Sequence, residues 1–287
     1  MISFLKIAIL AAVQGAAELL PVSSSAHVIV AEKLMGLDPA APALTMLLVM
    51  LHTGTMFAVI VYFWKSWRQS FFASRQDFWA AAKLVTLATA LTGVLGLGLK
   101  YVIEKFFRQG SPEAQIELIF GNLGLMAASL AAVGLLVIYG GVRGNRSKGS
   151  RELDYRSSSW IGAVQGICLP FRGFSRSGAT ISVGLLAGIA KVRAEEFSFA
   201  LAVVLTPPVV AREVLRLVKA NGGFSASALH LGILFYPSLL GMVLSFIAGL
   251  LALRWLSRWL ESGRWQLFGI YCLGASLVVF LLYLQGF

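Results

Sequence analysis

The sequence has few cysteines and few charged residues. Cys168 and Cys272 both lie in apolar segments, and no CxxC pair is present. Neither a disulfide nor a zinc site is therefore expected, and both residues are predicted to pack as small hydrophobic side chains. Only 13% of the 287 residues are charged, whereas 58% are hydrophobic and 29 are glycine. This balance argues against a soluble domain and predicts a single integral membrane domain over 1–287, whose helices pack through small residues.

Acidic residues are scarcer than basic ones, with 13 Asp and Glu against 24 Lys and Arg, for a net charge of +11. No run of basic and aromatic residues has the pattern of a nucleic-acid surface. In a membrane protein an excess of Lys and Arg is typical of loops on the cytoplasmic side. The predicted partner is therefore the membrane and not nucleic acid.

Five apolar segments are long enough to cross the hydrocarbon core of a bilayer, which needs roughly 20 residues. They cover about 43–63, 80–99, 116–140, 229–253 and 265–285. A sixth segment at about 196–211 is shorter and contains Pro207-Pro208, which predicts a broken or kinked helix. The fold class predicted from these segments is an all-α polytopic membrane protein with six transmembrane helices.

Four other apolar segments are only about half that length and occur in two pairs around polar residues. The pairs are Ile2–Val13 with Val28–Gly36, and Trp160–Phe171 with Ala179–Ala190. We expect each pair to form a re-entrant helical hairpin, whose polar tip must be buried in protein or line a wet cavity. A signal peptide is the alternative for the first pair, but the polar residues that follow Val13 make a poor cleavage region.

The two predicted hairpins are related in sequence. Ala12-Val13-Gln14-Gly15 recurs as Ala163-Val164-Gln165-Gly166, and each copy is followed by Leu-Pro and a tip that contains serine. Each half of the chain then has a hairpin and three spans, an odd number of crossings, so the second half is predicted to be inverted relative to the first. The repeats cover about 1–142 and 157–287, joined by a cytoplasmic linker at 143–156.

The distribution of Lys and Arg predicts the orientation of this repeat. The loops at 65–83, 143–156, 191–193 and 254–264 contain 14 of these residues, whereas the opposite side contains 8. By the positive-inside rule the first group is cytoplasmic, which places both termini outside. The two hairpin tips would then enter from opposite faces and meet inside the membrane.

The second tip has the composition of an anion site. It reads Gly173-Phe174-Ser175-Arg176-Ser177-Gly178-Ala179-Thr180. Its hydroxyls, its glycines and a following helix N-terminus suit a bound anion, and the guanidinium of Arg176 is a planar fork of donors for phosphate. The alternative is a capped helix start with a solvated arginine.

The first tip contributes groups of complementary chemistry. Gln14 and Glu18 lie four residues apart, on one face of a helix, and Ser24 and His27 follow closely. A carboxylate, an imidazole, hydroxyls and a guanidinium together suit phosphoryl transfer. The alternatives are that Glu18 only pairs with the arginine and that His27 is a core histidine. His52, inside a span, is open between a structural and a site-lining role.

These residues carry a resemblance to a known family. The stretches 14–27 and 173–180 are similar to the two signature regions of the bacterial undecaprenyl-pyrophosphate phosphatases of the BacA type, which are associated with bacitracin resistance, and the similarity extends along the chain. The resemblance implies a hydrolase of the bacterial plasma (inner) membrane whose active site faces outward. Its substrate would be undecaprenyl pyrophosphate, and its cofactor a divalent cation, Mg²⁺ or Ca²⁺.

The resemblance also implies roles for individual residues. The implied catalytic residues are Glu18, Ser24, His27 and Arg176. The implied phosphate-binding residues are Ser175, Arg176 and Thr180, and the family's acidic pair, which would hold the metal, falls on Gln14 and Glu18. Ser177 of the same tip and Arg172, which lies in a departure from the family pattern, are also expected to bind substrate. Ser24 would attack phosphorus with His27 as acid or base, or water would attack in its place. Three departures from the family pattern are Gln14 in place of glutamate, Ala26 in place of glycine, and Phe171-Arg172 between Pro170 and Gly173.

A second class of function fits the same layout. Inverted repeats with broken helices near the midplane are also typical of transporters and lipid flippases. The concentration of Ser, His, Glu and Arg at two matched tips favours the enzyme. A homodimer is left open.

Overall fold

The computed structural model describes residues 2–37, 41–106, 122–147, 151–220 and 224–286. Within these ranges the chain forms ten α-helices and no β-strand, apart from one isolated bridge between Arg151 and Ile189. The prediction of an all-α protein is confirmed for this part of the chain. The helices are α1 (Phe4–Leu19), α2 (Ser24–Leu34), α3 (Pro42–Ser70), α4 (Arg75–Phe106), α5 (Leu123–Ser147), α6 (Tyr155–Cys168), α7 (Arg176–Leu186), α8 (Lys191–Ala220), α9 (Phe224–Glu261) and α10 (Trp265–Leu284).

Six of the helices in the described ranges are long and apolar enough to cross a membrane, as the sequence predicts. Their apolar stretches are Leu44–Ser70, Arg75–Ile103, Leu123–Arg146, Lys191–Arg212, Tyr236–Glu261 and Trp265–Leu284. The third predicted segment started at 116, and its first six residues lie outside the described ranges. The chain is a multi-span membrane protein.

Of the broken or kinked helix predicted at Pro207-Pro208, the break does not occur, because α8 runs without interruption from Lys191 to Ala220 and contains both prolines. Each proline removes one amide donor from the helical ladder. Both prolines lie on the exposed surface of α8, where their rings do not disturb the packing against neighbouring helices. Two prolines near the middle of a long apolar segment therefore did not end the helix.

Four helices are too short to span. α1 has 16 residues, α2 has 11, α6 has 14 and α7 has 11. At 1.5 Å per residue the longest measures about 24 Å, less than the ~30 Å of a hydrocarbon core. α1 packs against α2, and α6 packs against α7. Two pairs of short helices are thus present where the sequence predicted them, and α1 extends far enough to include Gln14 and Glu18.

The repeated Ala-Val-Gln-Gly motif lies at two close helix contacts. A Cβ atom on Gly15 of α1 would lie 2.7 Å from the carbonyl oxygen of Ser245 in α9. A Cβ atom on Gly166 of α6 would lie 3.0 Å from the carbonyl oxygen of Thr92 in α4. Both distances are too short for a side chain, so each glycine allows a short helix to approach a long one. In both cases the long helix belongs to the other half of the chain.

The largest buried cluster joins the long helices around these contacts. Phe63 of α3 stacks on Phe199 of α8, with ring centroids 5.3 Å apart, and Phe268 of α10 belongs to the same cluster. Both cysteines are buried, free thiols within it, as the sequence predicts. The Sγ of Cys272 donates to the carbonyl oxygen of Pro21, which ties α10 to the turn between α1 and α2.

Candidate active site

The two short-helix pairs meet at their polar tips, as predicted. The guanidinium of Arg176, the first residue of α7, donates to Oε1 of Glu18 near the end of α1 at 2.9 Å. Ser177 Oγ donates to the carbonyl oxygen of Leu20 at 3.2 Å. These contacts join residues about half the chain apart, which places the carboxylate and the guanidinium at one point.

Glu18 is the centre of this cluster. Ser24 Oγ donates to Oε2 of Glu18 at 2.5 Å, and Gln14 Nε2 donates to the same oxygen at 3.2 Å. Gln14 and Glu18 can meet because α1 is a regular helix through this turn, which places both side chains on one face, as the spacing predicted. Both Glu18 and Arg176 keep about a fifth of their side-chain surface exposed, so the pair is open to a ligand.

His52 also faces this carboxylate. Its Nε2 lies 3.8 Å from Oε2 of Glu18, and 43% of its side-chain surface is exposed. Its Nδ1 lies 2.8 Å from the carbonyl oxygen of Leu48, an acceptor, so Nδ1 carries the hydrogen and Nε2 is the atom presented to Glu18. The question that the sequence left open is answered by this contact: His52 lines the site.

His27 is held from both sides of its ring. Its Nδ1 donates to the carbonyl oxygen of Ser23 at 2.8 Å, and its Nε2 lies 2.7 Å from the hydroxyl of Tyr271, which donates to it. The two rings also stack, with centroids 5.7 Å apart. Sequence reasoning missed Tyr271, because a tyrosine inside an apolar span has no signal that separates it from one facing lipid.

The turn before Ser24 has a strained backbone. Ser23 has φ of 67°, the only non-glycine residue with positive φ in the described part of the chain, and it is buried. Such a conformation costs on the order of 1–3 kcal/mol and is most often found where function requires it. Here it starts α2 at Ser24, so that the hydroxyl of this residue reaches the end of α1.

The hydroxyls of the second tip hold the start of α7. Ser175 caps the helix, since its Oγ accepts from the amide of Gly178 at 3.2 Å. Thr180 is fully buried, and its Oγ1 lies 2.8 Å from the carbonyl oxygen of Arg176 and 2.6 Å from Ser198 Oγ in α8. Thr180 therefore lies on the buried side of α7, away from the exposed edge of the Glu18 and Arg176 pair.

The glycine and the arginine that flank this tip have different surroundings. Gly173 has φ of 104°, and a Cβ atom there would lie 2.5 Å from the carbonyl oxygen of Met126 in α5, so the turn itself requires glycine. Arg172 is exposed on the same loop, near enough to Glu32 of α2 for the two charges to interact. It is a second guanidinium on the open side of the loop.

The chain is similar to known proteins over nearly its whole length. Residues 7–278 match the family described as "Bacitracin resistance protein BacA". The chain belongs to the BacA family. It is 60% identical to "Undecaprenyl-diphosphatase 2" of Acinetobacter baylyi over 96% of each chain, and 35% identical to "Undecaprenyl-diphosphatase 1" of Burkholderia pseudomallei over 93% of this chain and 92% of the relative. The resemblance carried by the two tips is confirmed.

The cluster around Glu18 offers few oxygen ligands to a divalent cation. In the described residues no three His, Cys, Asp or Glu side chains come together, and Glu18 is the carboxylate that pairs with Arg176. A carboxylate and an amide oxygen are hard ligands of the kind that Mg²⁺ and Ca²⁺ prefer, and Mg²⁺ is usually bound through one or two carboxylates plus substrate phosphates. Glu18 and the amide oxygen of Gln14 are the protein groups that would hold such an ion, together with oxygens of the substrate.

Proposed function

We propose that this chain is an undecaprenyl-diphosphatase, which hydrolyses the terminal phosphate of undecaprenyl pyrophosphate, returns undecaprenyl phosphate to cell-wall synthesis and confers bacitracin resistance. The observation that carries the proposal is the cluster around Glu18. It brings a hydroxyl, a carboxylate and a guanidinium to one point between two helix pairs. The names of relatives at 60% and 35% identity support the same reaction.

In the proposed reaction Ser24 Oγ attacks the terminal phosphorus. Its hydrogen bond to Oε2 of Glu18 supports this role, because the hydroxyl proton can pass to that oxygen as the new bond to phosphorus forms. The bond from this phosphorus to the bridging oxygen breaks, and undecaprenyl phosphate leaves with the electron pair. Water then hydrolyses the phosphoserine and releases inorganic phosphate. In the competing route, water attacks directly and Ser24 only orients it.

Arg176 is the proposed anchor of the pyrophosphate. One of its nitrogens is engaged by Glu18, and a guanidinium has five N–H donors, so donors remain for phosphate oxygens. Charge that develops on those oxygens in the transition state is stabilised by a fixed cation. Of the other residues expected to bind substrate, Ser175, Ser177 and Thr180 are buried and hold α7 in place, and Arg172 supplies a second cation.

His27 is the proposed acid or base of the second step. Its Nε2 shares a hydrogen bond with the hydroxyl of Tyr271, and its ring is fixed by Ser23, so its orientation is set before substrate binds. A divalent cation bound through Glu18, Gln14 and substrate oxygens would neutralise phosphate charge and polarise the phosphorus.

We further propose that the two pairs of short helices are re-entrant hairpins of an inverted repeat, in a protein of the bacterial inner membrane with both termini and the active site on the outer side. The crossed packing of α1 on α9 and of α6 on α4 supports the repeat. The 14-to-8 distribution of basic residues supports the orientation. If two copies associate as a homodimer, crosslinking in membranes would give a band at twice the monomer mass.

The experiment that tests this function is phosphate release from undecaprenyl pyrophosphate by the purified protein in detergent, where no transport is possible, with and without a chelator. Ser24→Ala is compared with Ser25→Ala, which changes a neighbouring hydroxyl that lies outside the Glu18 cluster. We expect release by the wild type and by Ser25→Ala, and a loss of at least ~10²-fold in Ser24→Ala. Activity near wild type in Ser24→Ala would favour water as the nucleophile, and no release by the wild type would contradict the proposed function.

A further inference from the structure

A groove of about 610 Å³ lies at the end of α9 and the turn into α10. Most of its wall consists of two residue types, arginine and tryptophan. The residues that line it include Arg254, Trp255, Arg258, Trp259, Ser262 and Arg264. None of them belongs to the candidate active site, so the groove requires a separate explanation.

The three arginines of the groove are exposed, and in the described part of the chain none lies within ion-pair distance of a carboxylate. Arg254 and Arg258 are four residues apart on one helix face, an arrangement in which like charges repel. Glu261 follows in the next turn and is exposed, whereas Glu195 of α8 is buried and accepts a hydrogen bond from Ser257, so the three exposed cations outnumber the exposed acidic side chain. A bound anion would offset this repulsion, which makes the groove complementary to negative charge.

The two tryptophans are held rigidly. Trp255 and Trp259 pack edge to face with ring centroids 4.9 Å apart, and Phe268 of α10 contacts both rings, at 5.9 and 5.1 Å. Tryptophans beside arginines at the end of an apolar span are typical of the boundary between membrane and water. The groove therefore lies at the depth of lipid headgroups.

An apolar track leads from the groove along α9. Val243, Ile247 and Leu251 occur at intervals of four residues before Trp255, and their exposed fractions are 46%, 49% and 60%. This face has the exposure and composition of a surface that contacts acyl chains. The occupant that fits both parts is an amphiphile with an anionic head, because the arginines complement a negative charge and the apolar face beside them complements acyl chains.

We propose that the groove is a binding site for an anionic phospholipid. The guanidinium groups of Arg254, Arg258 and Arg264 bind its phosphate, the indoles of Trp255 and Trp259 pack against its glycerol region, and its acyl chains follow Val243, Ile247 and Leu251. Basic pockets at helix ends bind such headgroups through charge-assisted hydrogen bonds. The proposal does not depend on the reaction proposed for the cluster around Glu18.

The test compares lipids of different charge on the full-length protein in neutral detergent. Dioleoyl-phosphatidylglycerol and dioleoyl-phosphatidylcholine are added separately, and binding is measured by native mass spectrometry and by the shift in Tm. The double variant Arg254→Gln/Arg258→Gln is compared with Arg75→Gln/Lys83→Gln, which removes the same charge from exposed basic residues at the start of α4. The expected result is preferential binding of phosphatidylglycerol, at least ~10-fold weaker in the groove variant and unchanged in the control.

Three outcomes would overturn the proposal. Equal binding of the two lipids by the wild type would show that the groove does not select an anionic headgroup. Equal loss of phosphatidylglycerol binding in both double variants would indicate a general surface charge effect. If soluble glycerol phosphate or an acidic peptide fully displaced phosphatidylglycerol and raised Tm by the same amount, the groove would be assigned to a water-soluble anion. Should the groove variant fail to fold, Arg264→Gln and the wild-type competition between the two lipids give the same decision.

Discussion

At the scale of single residues, the sequence predicted which charges meet but not all of their neighbours. Glu18 and Arg176 each lie beside apolar segments, and an ionised group in a bilayer must find a partner, so their pairing could be expected. The contacts of His52 with Glu18 and of Tyr271 with His27 depend on how α3 and α10 pack against the tips. No local pattern in one sequence specifies that packing.

Arg176→Lys tests whether the guanidinium acts on the transition state. Lysine keeps the positive charge and can still pair with Glu18, so the protein should fold, but it loses the planar fork that binds two phosphate oxygens. We expect kcat to fall by on the order of 10² or more. Steady-state kinetics against undecaprenyl pyrophosphate measure it, with Arg143→Lys as the control. A variant that raises KM with kcat unchanged would limit Arg176 to substrate binding.

Gln14→Glu tests the metal proposal. Gln14 is 1% exposed and donates to Glu18, so the substitution places a second carboxylate beside the first. Without metal the two charges repel and Tm should fall; a divalent cation should restore it, and the metal concentration needed for half-maximal activity should drop. Mg²⁺ and Ca²⁺ titrations of Tm and of activity measure both effects. Lower stability with an unchanged metal midpoint would show that Gln14 only hydrogen-bonds within the helix pair.

At the scale of helices, the lengths of the apolar segments predicted the long and the short helices, but the break predicted in α8 is absent. The six long helices and the four short ones follow from how many apolar residues each segment contains. The break expected in α8 did not occur, because the propensity of proline to end a helix is weaker than the tertiary packing of a 30-residue segment. The length of an apolar segment was therefore a better guide to the helix than the prolines inside it.

Gly166→Ala tests why the motif ends in glycine. The added Cβ would meet the backbone of α4 at Thr92, 3.0 Å away, and backbone cannot move aside as a side chain can. We expect the contact of α6 with α4 to open, at a cost of roughly 1–3 kcal/mol and a lower Tm in detergent. Gly98→Ala in α4 is the matched control, since a Cβ there meets nothing within 4 Å. Equal Tm values for the two variants would mean that the helices do not need glycine to pack.

At the scale of the whole molecule, the halves are interlocked and not merely adjacent. α1 packs on α9, α6 packs on α4, and the two tips share the carboxylate and the guanidinium of one cluster. Neither half could complete that cluster alone. The repeated motif predicted that the halves correspond, whereas the partner of each short helix became clear only from the folded chain, because Gly15 and Gly166 each contact the half to which they do not belong.

The orientation in the membrane can be tested at the two ends of one helix. α10 is a 20-residue span with Ser262 exposed in the loop before it and Gln285 exposed just after it, so these positions lie on opposite sides of the membrane. The loop that contains Ser262 is rich in arginine, and the positive-inside rule places it in the cytoplasm. In a Cys168→Ala/Cys272→Ala background, an impermeant thiol reagent added to spheroplasts should label Gln285→Cys and spare Ser262→Cys until the cells are lysed. Labelling of Ser262→Cys before lysis, with Gln285→Cys protected, would reverse the orientation and move the candidate active site to the cytoplasmic side.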